Sequence, residues 1–155
     1  MPDQLFAHLE KLIVSQPPED TLLLMPPDHP LLKKLVNSQI PTPIDGQTFF
    51  DTSPKRRYPL AIVIGYLDTL PHGSGEQLIA RLRDLYADTI YCLADSRYWL
   101  PERMIALGLR PVNFYPQSNG EIGLYYFDLY DYKRTPHWLN PKHWAHPERW
   151  DKDRW

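Results

Sequence analysis

Cysteine occurs once in these 155 residues, at Cys92, so neither an internal disulfide nor a cysteine metal cluster can form. No apolar run approaches the roughly 20 residues of a membrane helix. The opening residues lack the basic, apolar and small-residue order of a signal peptide. A cytoplasmic protein without membrane contact is therefore expected. Paired metal ligands at helical spacing are also missing. Asp28, His29 and His72 invite an acid–base or metal reading, but nothing nearby completes a ligand set, so no metal is expected.

What is abundant is proline, with 17 residues gathered at the junctions of apolar segments and in the tail, where they fix turns and helix starts. The length suits one domain with a real core. The formal charge of -2 hides an asymmetry. Residues 1–132 carry 11 Lys and Arg against 16 Asp and Glu, whereas residues 133–155 carry six against three. That tail repeats a basic residue before tryptophan (His137-Trp138, His143-Trp144, Arg149-Trp150, Arg154-Trp155). Two readings follow. The tail docks on its own acidic domain, or it meets an acidic partner or nucleic acid. The small basic surplus favours docking, and an acidic body opposes phosphate. His137, His143 and His146 neighbour tryptophan or proline and are expected to pack rather than bind metal.

The apolar spacing of Leu5, Phe6, Leu9, Leu12 and Ile13 predicts a helix, stopped by Pro17 and Pro18. Residues 21–25 (TLLLM) predict a short buried strand. Asp28 or His29 can cap the next helix, with Pro30 at its first position and Leu31, Leu32, Leu35 and Val36 on its buried face. Residues 48–50 predict a brief strand ending at Asp51, and residues 55–57 a solvated basic loop. Residues 60–64 (LAIVI) form an unbroken apolar run, as in a strand covered on both faces. Ser74 and Gln77 have capping-box spacing ahead of a stripe of Leu78, Ile79, Leu82, Leu85 and Tyr86. Residues 89–94 predict a strand in which Cys92 is buried and inert, and 101–107 a helix closed by Gly108. Residues 111–115 and 122–130 predict a hairpin through the turn at 117–120.

This order resembles the second half of the class I S-adenosylmethionine-dependent methyltransferase domain. The resemblance rests on the run at 60–64 followed by Gly65, Tyr66, Leu67 and Asp68, and on the strand at 89–94. It rests also on the helix ending in Ala106, Leu107, Gly108 and Leu109, and on the terminal hairpin. It implies a three-layer α/β sandwich with a mostly parallel sheet and an antiparallel last strand, over residues 1–132. An irregular, docked Trp- and Pro-rich tail over 133–155 completes the expected architecture. The whole chain also resembles a family of small uncharacterised bacterial proteins with no assigned activity.

The resemblance lapses where the chemistry would lie. The family's glycine-rich turn after the first strand is replaced by Met25, Pro26, Pro27, Asp28, His29 and Pro30, whose prolines offer no N–H. Between Met25 and Leu60 the chain is too short for two further strand–helix units, and no acid is assignable to the ribose hydroxyls. The resemblance places Asp51 near the adenine position and Gly65 and Tyr66 beside the methyl-donor pocket. Ligands of open α/β sheets lie beyond the strand ends. The candidate cofactor- or ligand-binding set is therefore Asp28, His29, Asp51, Gly65, Tyr66 and Asp68, with Asp95 behind it. Asp28 has a plainer reading as a helix cap, and Asp68 and Asp95 as loop punctuation. The expected role is a non-catalytic methyltransferase-like scaffold that takes a ligand or protein partner and needs no cofactor. Alternatives are a minimal methyltransferase holding S-adenosylmethionine through Asp51, Gly65 and Tyr66, or nucleic-acid or partner binding by the tail.

Overall fold

Thr21–Leu24 (β1), Tyr58–Val63 (β2) and Ala87–Asp95 (β3) carry the chain's densest branched apolar runs, and they pair in parallel at the centre of a five-stranded sheet. The computed structural model describes residues 3–35, 40–52 and 54–132. The expectations for residues 133–155 and for Val36 fall outside the described residues. Register is set at Thr21 opposite Leu60 and Leu60 opposite Thr89. Arg110–Gln117 (β4) and Gly120–Asp128 (β5) form the hairpin, and the chain folds back so that β5 enters between β3 and β4. Strand β5 is antiparallel to both neighbours, so four of the five strands share one direction. This is the arrangement that the resemblance implies.

Helices cover both faces. Asp3–Ile13 (α1) and Pro30–Lys34 (α2) lie on one, where Leu5, Leu9, Ile13, Leu31 and Leu35 pack against Leu23, Ile62, Leu93 and Leu124. His8 Nδ1 and the Tyr115 hydroxyl, 2.7 Å apart, tie α1 to β4. Gly46–Thr52 (α3), His72–Arg81 (α4) and Pro101–Ala106 (α5) lie on the other, where Phe49, Leu78, Ile79 and Met104 meet Leu22, Val63, Ile90 and Cys92. Leu22 and Leu24 face one layer while Leu23 and Met25 face the other, which is why β1 is an unbroken apolar run. Each such leucine contributes about 1.5–3 kcal/mol by leaving water. Gly108 closes α5 at φ 90°, as expected of a left-handed terminal glycine.

Four local expectations are corrected. Residues 48–50 are helical, not a strand: Asp45 caps α3, its Oδ1 accepting from Thr48 N–H at 2.8 Å and its Oδ2 from the Thr48 hydroxyl at 2.6 Å. A one-residue parallel bridge between Ile44 and Leu24 stands beside β1 in the strand's place. The Ser74–Gln77 capping box does not form, because α4 starts earlier, at His72 after Pro71, and Ser74 lies inside it. The stripe beyond Leu82 breaks as well. Residues Leu82–Tyr86 take π-helical geometry, which turns Leu85 out at 57% exposure and brings Tyr86 edge-on to Phe49. Strand β5 stops at Asp128, whose Oδ1 accepts from Tyr130 and Asp131 N–H and starts a short helix, Leu129–Tyr132 (α6).

The sheet's outer edges differ from its centre. Strand β4 is largely exposed, carries Pro111 and Pro116, and is bulged between Pro111 and Asn113. Among the described residues, the other edge, β1, has only the Ile44 bridge beyond it, with Ile44 N–H donating to Leu23 O and Met25 N–H to Ile44 O.

Candidate functional site

Parallel strands deliver their carboxyl ends to one rim of the sheet, and there a cleft of about 400 Å³ opens beside α1 and α2. Phe6, Leu31 and Lys34 come from the helices, and Ile64, Leu93 and Ile122 from the sheet. His29, Gly65, Asp68 and Gln117 supply the remaining polar atoms and backbone. The hairpin places Ile122 and Gln117 here because β5 begins, and β4 ends, at the same rim where β3 ends at Asp95.

Pro30 sets the start of α2, and His29, not Asp28, caps it. The His29 Nδ1 accepts from Leu31 N–H at 3.2 Å. In the neutral ring that bond assigns the proton to Nε2. Burial holds the imidazole below its ordinary pKa, with the Asp28 charge opposing. The ring lies against Gly65, at φ 72°: a β-carbon there would sit 3.0 Å from His29 Cδ2 and 3.3 Å from Nε2. Gly65 thus combines a left-handed backbone with a close approach that only glycine accommodates.

This arrangement carries a pH prediction. Because the folded-state pKa is depressed, an unfolded chain takes up the proton first as pH falls through the ordinary histidine value of 6.5. His29 therefore contributes stability that is complete above that value and is lost as pH falls through the folded pKa. His29→Asn keeps a capping acceptor and removes the titration. Between neutral pH and about pH 5, the melting temperature of the natural chain should fall further than that of His29→Asn. Parallel profiles would show that His29 does not titrate with folding.

The structure brings His29, Gly65 and Asp68 into one cleft and leaves Asp28, Asp51 and Tyr66 outside its lining. Asp28 is exposed in the turn ahead of the cap. Asp51 sits exposed on α3, accepting from Gln47 Nε2 at 3.0 Å. The Tyr66 ring packs toward the opposite face, 3.3 Å from where a Gly46 β-carbon would stand. Asp68 is exposed as a residue, but its Oδ1 lies against the end of β3 and accepts from Asp95 N–H at 2.9 Å. Burial, aided by the Asp95 charge, raises this carboxyl above its ordinary range, while the Asp95 N–H and Arg97 oppose the shift. Asp95 closes its own turn by accepting from Arg97 N–H and its guanidinium, and the Arg97 bond holds its carboxyl low. Cys92 is fully buried, and that burial pushes its thiol upward.

The lining includes Phe6, Lys34, Gln117 and Ile122, which no local motif marks. Their common signal is topological, since the folded-back hairpin, the first helix and the end of α2 meet the same rim. Lys34 Nζ stands 4.8 Å from the Phe6 ring centroid and pairs with no carboxylate among the described residues. Among those residues no group of three or more His, Cys, Asp or Glu could hold a metal ion.

The turn after β1 offers few free backbone N–H groups. Pro26, Pro27 and Pro30 have no N–H. Those of His29, Leu31 and Leu32 are committed to Pro26 O, His29 Nδ1 and His29 O. The imidazole occupies the space over Gly65 that close approach to a cofactor would use. Asp45 follows the bridge beside β1, where a ribose-binding acid would be sought, yet both its oxygens are engaged by Thr48.

Comparison with protein families matches residues 3–155 to a family of unknown function, DUF6231. None of the curated proteins matches. Among solved structures the chain is similar to magnesium protoporphyrin IX methyltransferase from Synechocystis PCC 6803, crystallised with bound SAM. Identity is 13% and the TM-score 0.41, over 61% of this chain and 49% of the other. The match spans about half of the methyltransferase.

Proposed function

Since the chain belongs to the DUF6231 family of unknown function, we propose that it is a methyltransferase-like scaffold that holds no methyl donor and binds a small ligand in the cleft at its strand ends. The observation that carries the reading is the sealed turn after β1, where His29 caps α2 with its own side chain and lies against Gly65. The cleft itself remains open beside that seal, with a volume typical of small-molecule sites. Its lining presents apolar side chains and a few convergent polar groups, the composition of a small-molecule site.

Calorimetry with S-adenosylmethionine and S-adenosylhomocysteine tests the first half of the proposal. No heat and no thermal stabilisation are expected up to about millimolar ligand. Micromolar binding of either compound would overturn the proposal.

A further inference from the structure

The cleft's polar groups are unequally divided between donors and acceptors. Lys34 brings an ammonium without a carboxylate partner among the described residues. His29 brings an Nε2–H, because its Nδ1 is occupied by Leu31 N–H. Gln117 brings an amide that can donate or accept and so answers either kind of group. Against these stands one carboxylate, Asp68, with an oxygen already taken by Asp95 N–H. A basic amine would meet the Lys34 ammonium and could pair only with Asp68, one of whose oxygens is already engaged, whereas an anion could pair with Lys34 directly. The floor is apolar, made by Leu31, Ile64, Leu93 and Ile122, with the Phe6 ring beside Lys34.

We infer that the cleft selects a small amphipathic carboxylate, with its apolar body on Ile64, Leu93, Ile122 and Phe6 and its anionic end toward Lys34 and the His29 Nε2–H. This inference rests on the ligand-binding role proposed for the cleft. Charge-assisted bonds from Lys34 are the strongest contact available, so the anionic group dominates selection. The fixed His29 tautomer adds a donor at no cost in protonation.

The test uses 2-naphthoate and its uncharged counterpart 2-naphthamide, followed by saturation-transfer NMR and calorimetry on the full chain. The naphthoate should bind saturably and the amide about tenfold more weakly. Lys34→Met removes a charge from an exposed side chain, so it should keep the melting temperature and abolish the preference for the acid. Ile122→Trp, which fills the cleft from β5, should abolish binding of both compounds. Equal affinities that Lys34→Met leaves unchanged would overturn the carboxylate assignment while the ligand-binding reading stands. Binding that persists in Ile122→Trp would place the ligand elsewhere and overturn the assignment. Failure of both compounds to bind would remove the carboxylate assignment and the cleft reading together.

Discussion

Gly75→Ala should destabilise the protein by about 1–3 kcal/mol, although alanine is normally the better helix former. The position lies on α4 under the Trp99 ring, and a β-carbon there would stand 2.4 Å from Cζ2 and 2.7 Å from Cη2. The ring has little freedom to yield. It is 1% exposed, its Nε1–H donates to Leu67 O at 2.9 Å, and His72 meets it edge-on at 5.0 Å. Gly73 on the same helix supplies the control, because a β-carbon there would meet nothing within 4 Å. Gly73→Ala should be neutral or add up to about 1 kcal/mol. Gly75→Ala should therefore lower the melting temperature while Gly73→Ala leaves it unchanged or raises it. In a Trp99→Leu background the penalty at position 75 should vanish, a non-additivity expected of directly touching groups. Equal effects of the two alanines in the natural background would refute the packing account.

Arg57→Ala should cost about 2 kcal/mol, more than an arginine in a basic loop is usually worth. Its guanidinium donates to Asp88 at 2.6 Å and to the carbonyls of Arg83, Asp84 and Ala87 at 3.1, 3.2 and 2.5 Å. The Arg83 and Asp84 carbonyls lie in the last turn of the π-helical segment, which has no following turn to satisfy them, and Ala87 opens β3. The side chain is 31% exposed, so screening limits the ion-pair share and the carbonyl bonds carry most of the effect. Arg57→Lys should recover less than half of the loss, since an ammonium cannot span four acceptors with a planar fork. Urea denaturation measures both. A lysine variant as stable as the natural chain would mean that only the charge at this position matters.

Arg57 also shows where local sequence stops informing. Within residues 55–57 nothing separates it from Arg56, which pairs at 3.7 Å with Asp20 and lies over Tyr58. Its role depends on carbonyls 26–30 positions further along. The elements that were legible share the opposite property, in that their determinants are near in sequence. The runs at 21–25 and 60–64, Pro30 at a helix start and Gly108 at a helix end each act within a few residues. Residues 48–50 misled because three residues of strong strand propensity are overruled by one good cap at Asp45. The cleft was half legible. The rule that ligands sit beyond strand ends leads to His29, Gly65 and Asp68, whereas Gln117 and Ile122 arrive through the hairpin's return and Lys34 from the last turn of α2, and none of the three has a local signature.

The margins of the sheet set how this molecule meets copies of itself. Pro111 and Pro116 lack the donors that an added strand would need, and the bulge after Pro111 puts the rest of β4 out of phase with a straight partner. At β1 the short crosspiece at Ile44 already uses Leu23 O and Met25 N–H. Among the described residues, the addition of a further strand is thus hindered at both margins, by missing donors at one and by an occupied ladder position at the other.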